Sequence, residues 1–280
     1  MSVELPKLEG VTHRDVHARG LRFHVAEAGS GEPVVLLHGW PQHWWAWRKV
    51  VQPLAAHRRL VMPDLRGFGW SDAPPDGYDK ATMADDVLAL LDELGLERVT
   101  IVGHDWGGWI AFLAAMKAPE RFERVLALGI SPPFGRPGPR AALDLWRFAY
   151  MPAIASPALG ERLVSSEGLV RTMLRAPRGA FSDEDLRAFA GVLAQPARAR
   201  ASVLLYRTFL LREAVAGTRG RLRVPARLVV GERDPVVRPS LLAGRESHAD
   251  DLTVELVPDC GHWIPAERPD LVAERVLSPV

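Results

Sequence analysis

The run Ile101-Val-Gly-His-Asp105-Trp-Gly-Gly108 limits what this chain can fold into more than any other stretch. A short β-branched segment, Val99-Thr-Ile-Val102, leads into it, and an apolar helical segment from Gly107 to Ala115 leads out. Glycines at 103, 107 and 108 surround Asp105. A strand that turns at once into a helix needs such residues, because side chains there would collide with neighbouring backbone. The pattern is Gly-x-nucleophile-x-Gly with a carboxylate in the nucleophile slot. Serine in that slot would attack an acyl carbon with help from a base. A carboxylate needs no activating base and can attack a saturated carbon, leaving an alkyl ester that water must hydrolyse. Opening of an epoxide and displacement of a halide both fit. Aspartate is also a common helix N-cap, so its partners must decide between a chemical and a structural role.

The chain around this turn alternates short apolar strands with amphipathic helices. A hairpin over 12–28 turns at Arg19-Gly20. Val34–Leu37 and Leu60–Met62 read as strands buried on both faces. A helix is expected through Leu54, another over 82–94 with Met83, Val87, Leu90, Leu91 and Leu94 on one face, and a third to about Ala118. Strands are expected at 98–102, Val125–Leu128, 226–230 and Leu252–Val257, with helices near 239–249 and from Pro269 to Leu277. This rhythm predicts an α/β fold with a mostly parallel sheet flanked by helices. It breaks between 135 and 222, where proline-punctuated helical segments hold no strand candidate. The chain therefore divides into a core, 1–134 and 223–280, and a helical cap, 135–222.

Composition narrows the function classes. Basic and acidic residues number 35 and 34, so no charge bias invites nucleic acid. The one cysteine, Cys260, excludes an intrachain disulfide. The N-terminus lacks an apolar signal segment and no run is long enough to span a bilayer, so a cytoplasmic protein without a membrane partner is expected.

Ligands of open parallel sheets sit beyond the carboxyl ends of the strands. Four marked residues fall at separate strand ends: Trp40, Asp105, Asp234 and His262. His262, in a Gly-His turn after the last strand, suits the base that activates water against an ester on Asp105. Asp234 would hold the imidazole tautomer, although Asp-Pro is also a common turn signal. The earlier strand end that could carry the acid reads Gly129-Ile-Ser131, with no carboxylate. The backbone N–H groups of Trp40 and Trp106 are the expected oxyanion donors, and the side chains of Trp40, Trp106 and Trp263 the expected apolar wall of a substrate pocket. His38 and His104 are read as local packing or hydrogen-bonding groups.

The order nucleophile, acid, histidine is that of the α/β-hydrolases. From about residue 10 to 278 the chain resembles an epoxide hydrolase of that superfamily. The resemblance rests on His38-Gly-Trp-Pro41, Arg66-Gly-Phe-Gly-Trp-Ser71, Gly103-His-Asp-Trp-Gly107, Gly231-Glu-Arg-Asp234 and Gly261-His262. Most of these motifs also resemble haloalkane dehalogenases, so the cap must discriminate. An epoxide hydrolase uses two cap tyrosines as hydrogen-bond donors to the leaving oxygen. Tyr150, in a segment similar to the family's Tyr-x6-Pro-x3-Glu, and Tyr206, in Leu205-Tyr-Arg207, match those positions. The Phe-Gln that usually precedes the proline is replaced by Ala155-Ser156. The third tyrosine, Tyr78, is read as structural.

The resemblance implies a small apolar epoxide and water as partners, a vicinal diol as product, and no metal or organic cofactor. A homodimer stays open. A haloalkane dehalogenase would use Trp106 and the cap's Trp146 as halide donors. Fluoroacetate-type dehalogenases carry arginine where Trp106 stands. A non-catalytic small-molecule binder on the same fold is the third alternative.

Overall fold

The computed structural model describes residues 3–135, 139–176, 179–214, 218, 220–242 and 244–278. Eight strands form one sheet: β1 (Val11–Ala18), β2 (Leu21–Ala28), β3 (Pro33–Leu37), β4 (Arg59–Pro63), β5 (Val99–His104), β6 (Phe122–Leu128), β7 (Ala226–Gly231) and β8 (Leu252–Val257). Their spatial order is β1-β2-β4-β3-β5-β6-β7-β8. β1 pairs antiparallel with β2, and β2 with β4; all later pairs are parallel. Strand periodicity sends alternate side chains to opposite faces. Val35, Leu37, Ile101, Val125 and Leu228 join the core under α2 (Lys80–Glu93) and α3 (Trp106–Lys117). Val34, Leu36, Val102, Leu126 and Val229 join a second core under α1 (Arg48–Ala55) and the C-terminal helix Pro269–Leu277. Central strands buried on both faces explain why the interiors of β3 and β4 read as apolar runs.

Between β6 and β7 the described elements are helical: α4 (Tyr150–Ala155), α5 (Gly160–Val164), α6 (Glu167–Met173), α7 (Asp183–Leu193), α8 (Pro196–Thr208), a 3-10 stretch before them and a π-turn, Phe209–Glu213, after them. An isolated parallel bridge joins Phe134 to Thr218 at the base of this excursion. Three polar ties fasten it to the sheet. Asp185 of α7 accepts from Trp45 Nε1 at 2.7 Å and from Arg48. Ser202 of α8 accepts from Trp40 Nε1 at 2.9 Å. Glu213 pairs with Lys80 at 2.7 Å. Among the described residues, no helix is long and apolar enough to cross a membrane.

The helix expected near 239–249 is absent. Pro239–Leu241 and Glu246–His248 form 3-10 turns instead. Gly244 between them takes φ +79°, which ends helical geometry. Arg245 is buried there, its guanidinium donating to the carbonyls of Pro132, Phe134 and Leu241. This segment therefore braces the start of the excursion rather than covering the sheet.

Asp64, just after β4, organises the loops on the β3–β4 side of the site. Its side chain is fully buried. It accepts from Trp44 N–H at 2.8 Å, from Trp70 N–H at 3.0 Å and pairs with His24 Nδ1 at 2.7 Å. Burial alone would raise its pKa, but His24 and neighbouring imidazoles win and lower it to about 2. A depressed carboxylate stabilises the fold above its ordinary pKa of 3.8 and loses that contribution as pH falls through about 2. Asp64→Asn should therefore cost about 2 kcal/mol at neutral pH. Urea unfolding from pH 7 down to acid should show the gap to the wild type narrowing from pH 4 down to about 2, below which both folded chains lack the charge.

Candidate active site

Asp105 ends β5 with φ +51° and ψ −127°, in backbone territory that an L-residue rarely occupies. The packing around it imposes that conformation. A Cβ on Gly103 would overlap the backbone of Gly107 and Gly108, and one on Gly107 would overlap the carbonyls of Leu37 and His38. β3, β5 and α3 thus meet backbone to backbone, and the chain has no room to turn more gently. Asp105 occupies the N-cap position of α3 but makes no capping hydrogen bond with its side chain. Its Oδ1 instead accepts the backbone N–H of Trp40 at 2.9 Å. The amide of Trp106, first residue of α3, lies in the helical turn whose N–H groups have no intrahelical acceptor.

His262 follows β8 and is buried. Its Nδ1 pairs with Asp234 Oδ2 at 2.9 Å. Its Nε2 faces Asp105 Oδ2 at 3.7 Å, beyond hydrogen-bond length. Asp234 serves both readings of its motif. Oδ1 accepts the N–H groups of Val236 and Val237 at 2.7 and 2.9 Å, as a turn residue would, while Oδ2 holds the histidine. Burial pushes His262 toward neutrality, but Asp234 first and Asp105 second override it and raise its pKa to about 10. His104 Nε2–H donates to the His262 carbonyl, 2.9 Å away. Burial, helped by the neighbouring His262, lowers His104 to about 4, so it is a neutral brace of the turn that carries His262.

A cavity of about 560 Å3 opens above these groups. Asp105, His262, Trp40, Trp263, Tyr150 and Tyr206 all line it, so four stretches far apart in the sequence join one chamber with the nucleophile candidate. Tyr206, on α8, is almost fully buried, its ring edge-on to Trp40 at 5.2 Å and to Trp106 at 5.9 Å. Tyr150 opens α4 and meets Tyr206 edge-on at 5.9 Å. Burial is the main reason both phenols are held above their ordinary pKa of 10; Asp105 adds to it in each case. Both therefore keep their O–H protons at neutral pH.

Trp106 departs from its expected place. Its side chain is not part of the cavity wall. The ring is buried behind Tyr206, against Phe209 at 4.8 Å and Trp109 at 5.8 Å. The tight turn at Asp105 sends the indole under α8, so only its backbone remains near the carboxylate. Trp146 lines the mouth and is 67% exposed. Trp44 and Trp47 are core residues, and Tyr78 donates to the Pro74 carbonyl at 2.8 Å as a structural tyrosine. Met173, Ala176, Pro235 and Val236 complete the apolar wall. No local signal marks them, because they become neighbours only when the cap helices close over the sheet.

A parallel sheet with an acid–histidine pair and an elbow carboxylate at its strand ends, roofed by a helical excursion, defines an α/β-hydrolase. The chain belongs to that family: the model for the alpha/beta hydrolase fold matches residues 32–269. It is 33% identical over 285 residues to the soluble epoxide hydrolase of Corynebacterium sp. (strain C12), covering 96% of each. It is 30% identical to the AB hydrolase superfamily protein YfhM of Bacillus subtilis, covering 97% of this chain and 98% of that one. Among solved structures, the ligand-free epoxide hydrolase CorEH superimposes with a TM-score of 0.81 at 33% identity, covering 95% of this chain and 97% of that one. The Burkholderia cenocepacia Cfl2 structure does so at 0.85 and 31%, covering 98% and 97%. The chain is a hydrolase.

The raised histidine gives a pH signature. A protonated His262 stabilises the fold fully below its ordinary pKa of 6.5, and the contribution is lost as pH rises through about 10. Wild-type stability should therefore decline across that window. Asp234→Asn, which removes the larger attractive charge, should lower the histidine midpoint and flatten the decline. Imidazole NMR titration alongside thermal unfolding reads both; an unshifted midpoint in the variant would refute the assignment.

Proposed function

We propose that this hydrolase opens small apolar epoxides to vicinal diols through an ester on Asp105. The observation that carries the reading is the placement of two neutral phenols, the half-buried Tyr150 and the buried Tyr206, in the same cavity as the elbow carboxylate. A strained ring whose oxygen leaves as an alkoxide needs such donors. A halide leaves without a proton.

With Oδ1 held by Trp40 N–H, Oδ2 is the free nucleophile. It bonds to one epoxide carbon as the C–O bond breaks, and the electron pair goes to the ring oxygen. Tyr150 and Tyr206 stabilise that oxygen and supply its proton. Consumption of the Asp105 charge removes one of the influences that hold Tyr150 up, so proton donation becomes easier as the reaction proceeds. It also removes one of the two charges that hold His262 protonated, lowering its pKa toward the range of a working base. The imidazolium proton passes through solvent to the tyrosinate left by ring opening, and the resulting neutral His262, oriented by Asp234, takes a proton from water. The hydroxide adds to the Asp105 carbonyl carbon, and the N–H groups of Trp40 and Trp106 stabilise the oxyanion. Collapse breaks the ester C–O bond, the proton of the added hydroxyl passes to the departing oxygen to complete the diol, and the carboxylate and the protonated His262 are restored. These side chains and amides carry every step of the proposed sequence.

The competing dehalogenase reading loses ground at both of its donors. The Trp106 ring lies outside the cavity wall, and Trp146 stands largely in solvent. The relatives named epoxide hydrolases support the epoxide reading over a non-catalytic binder.

Purified protein given matched terminal epoxides and haloalkanes should yield diol and no halide. Asp105→Asn should abolish diol formation. Halide without diol would overturn the reading and return attention to Trp106 and Trp146. Removing a single donor to a developing oxyanion costs about 10²-fold or more in kcat. Tyr150→Phe and Tyr206→Phe should each lose activity on that scale in ring opening, seen as slower ester formation in a single turnover. His262→Gln should instead form the ester and stall, so that intact-mass measurement detects a trapped adduct.

A further inference from the structure

Lys80 carries the most unusual burial in the molecule. Its side chain has no exposed surface. A buried ammonium is costly unless it is paired and hydrogen-bonded, so its surroundings are informative. Nζ contacts Glu213 Oε2 at 2.7 Å and the Leu205 carbonyl at 3.2 Å. It also lies over the Trp106 ring, 4.6 Å from the centroid, and near Phe209 at 5.1 Å. Glu213 spends its other oxygen on the backbone N–H of Lys80 at 2.7 Å. That amide begins α2, where helical N–H groups lack intrahelical acceptors. One carboxylate from the helical excursion therefore satisfies both the side chain and the backbone of one core residue. Glu213 reaches this place from a π-turn, Phe209–Glu213, that extends α8. Such turns are uncommon and concentrate at functional sites.

The atoms that Lys80 touches flank the proposed chemistry on two sides. Leu205 immediately precedes Tyr206 on α8. Trp106 immediately follows Asp105, and its ring packs edge-on against Tyr206. We infer that Lys80 is a positioning residue for ring opening: a buried cation that locks Tyr206 to the Trp106 side of the elbow, with Glu213 as its counter-ion. Without it, α8 loses the anchor nearest to Tyr206, and Trp106 loses the charge over its face. This inference rests on the epoxide reading only for its kinetic readout.

The experiment is a double-mutant cycle on single-turnover ester formation with a terminal epoxide. Lys80→Met is made in the wild type and in Tyr206→Phe. A misplacement of about 1 Å near a reacting centre costs about 10²-fold, and a loss of this size is expected in the wild-type background. In Tyr206→Phe the same substitution should cost no more than about twofold, because the group it positions is already gone. Lys80→Arg, which keeps the charge and the donors, should recover most of the rate. Equal losses in both backgrounds would mean a general structural role and would overturn the inference, as would full activity in a folded Lys80→Met. If Lys80→Met does not fold, Glu213→Gln carries the same cycle, since it leaves the cation in place but removes its counter-ion. Hydrogen exchange of the amides from Leu204 to Thr208 gives a readout independent of substrate. It should accelerate in Lys80→Met, and unchanged exchange would refute the anchoring. A wild type that makes no diol would sink the epoxide reading while leaving the exchange result to judge Lys80.

Discussion

The backbone crossing at Asp105 is the constraint on which the rest of the site depends. β3, β5 and α3 approach so closely that Gly103 and Gly107 leave no space for a methyl group. The chain can then pass from strand to helix only through a residue at φ +51°. That strain lifts the Asp105 carboxylate clear of the sheet and turns it toward the Trp40 amide. It also sends the Trp106 ring beneath α8, where it becomes part of the seat for Tyr206. One local packing demand thus orients the proposed nucleophile, a candidate oxyanion donor and the underside of the helical excursion.

Buried charges supply the second layer of order; those around the site face a partner of opposite sign or an imidazole, whereas Arg245 faces only backbone carbonyls. Asp64 gathers the loops on one side of the elbow through Trp44, Trp70 and His24. Asp234 and Asp105 together hold His262 protonated before reaction. Glu213 and Asp185 tie the helical excursion to Lys80 and Arg48 of the core. The low dielectric that strengthens these pairs also makes each partner costly to remove. Electrostatics inside the cavity is consequently coupled to its own chemistry. Neutralising Asp105 as an ester would release both His262 and Tyr150 from a charge that holds their pKa values up.

Much of this arrangement was legible along the chain because it is written in local patterns. Apolar runs of three or four residues marked inner strands, since a strand covered on both faces is apolar throughout. The glycine spacing around Asp105 marked the elbow, and the positions of Asp234 and His262 at strand ends marked their convergence. The stretch near 239–249 misled, because helical composition there is overruled by Gly244 and by the carbonyls that Arg245 must serve. Trp106 misled in the opposite way. Its place in the motif was right, but the direction of its ring follows from the turn geometry and not from the motif.

The sequence by itself determined the class of fold, the elbow, the candidates for acid and histidine, and the two tyrosines worth examining. Those features need only short-range steric rules and the order of elements. Tertiary structure decided which side chains share a chamber. Met173 and Val236 become walls, Trp106 becomes a support, and Lys80 becomes a buried cation facing Glu213. Such outcomes depend on how an excursion of helices closes over a sheet. That closure is set by contacts between residues more than a hundred positions apart, such as Trp40 with Ser202 and Lys80 with Glu213, and it leaves no local trace in the chain.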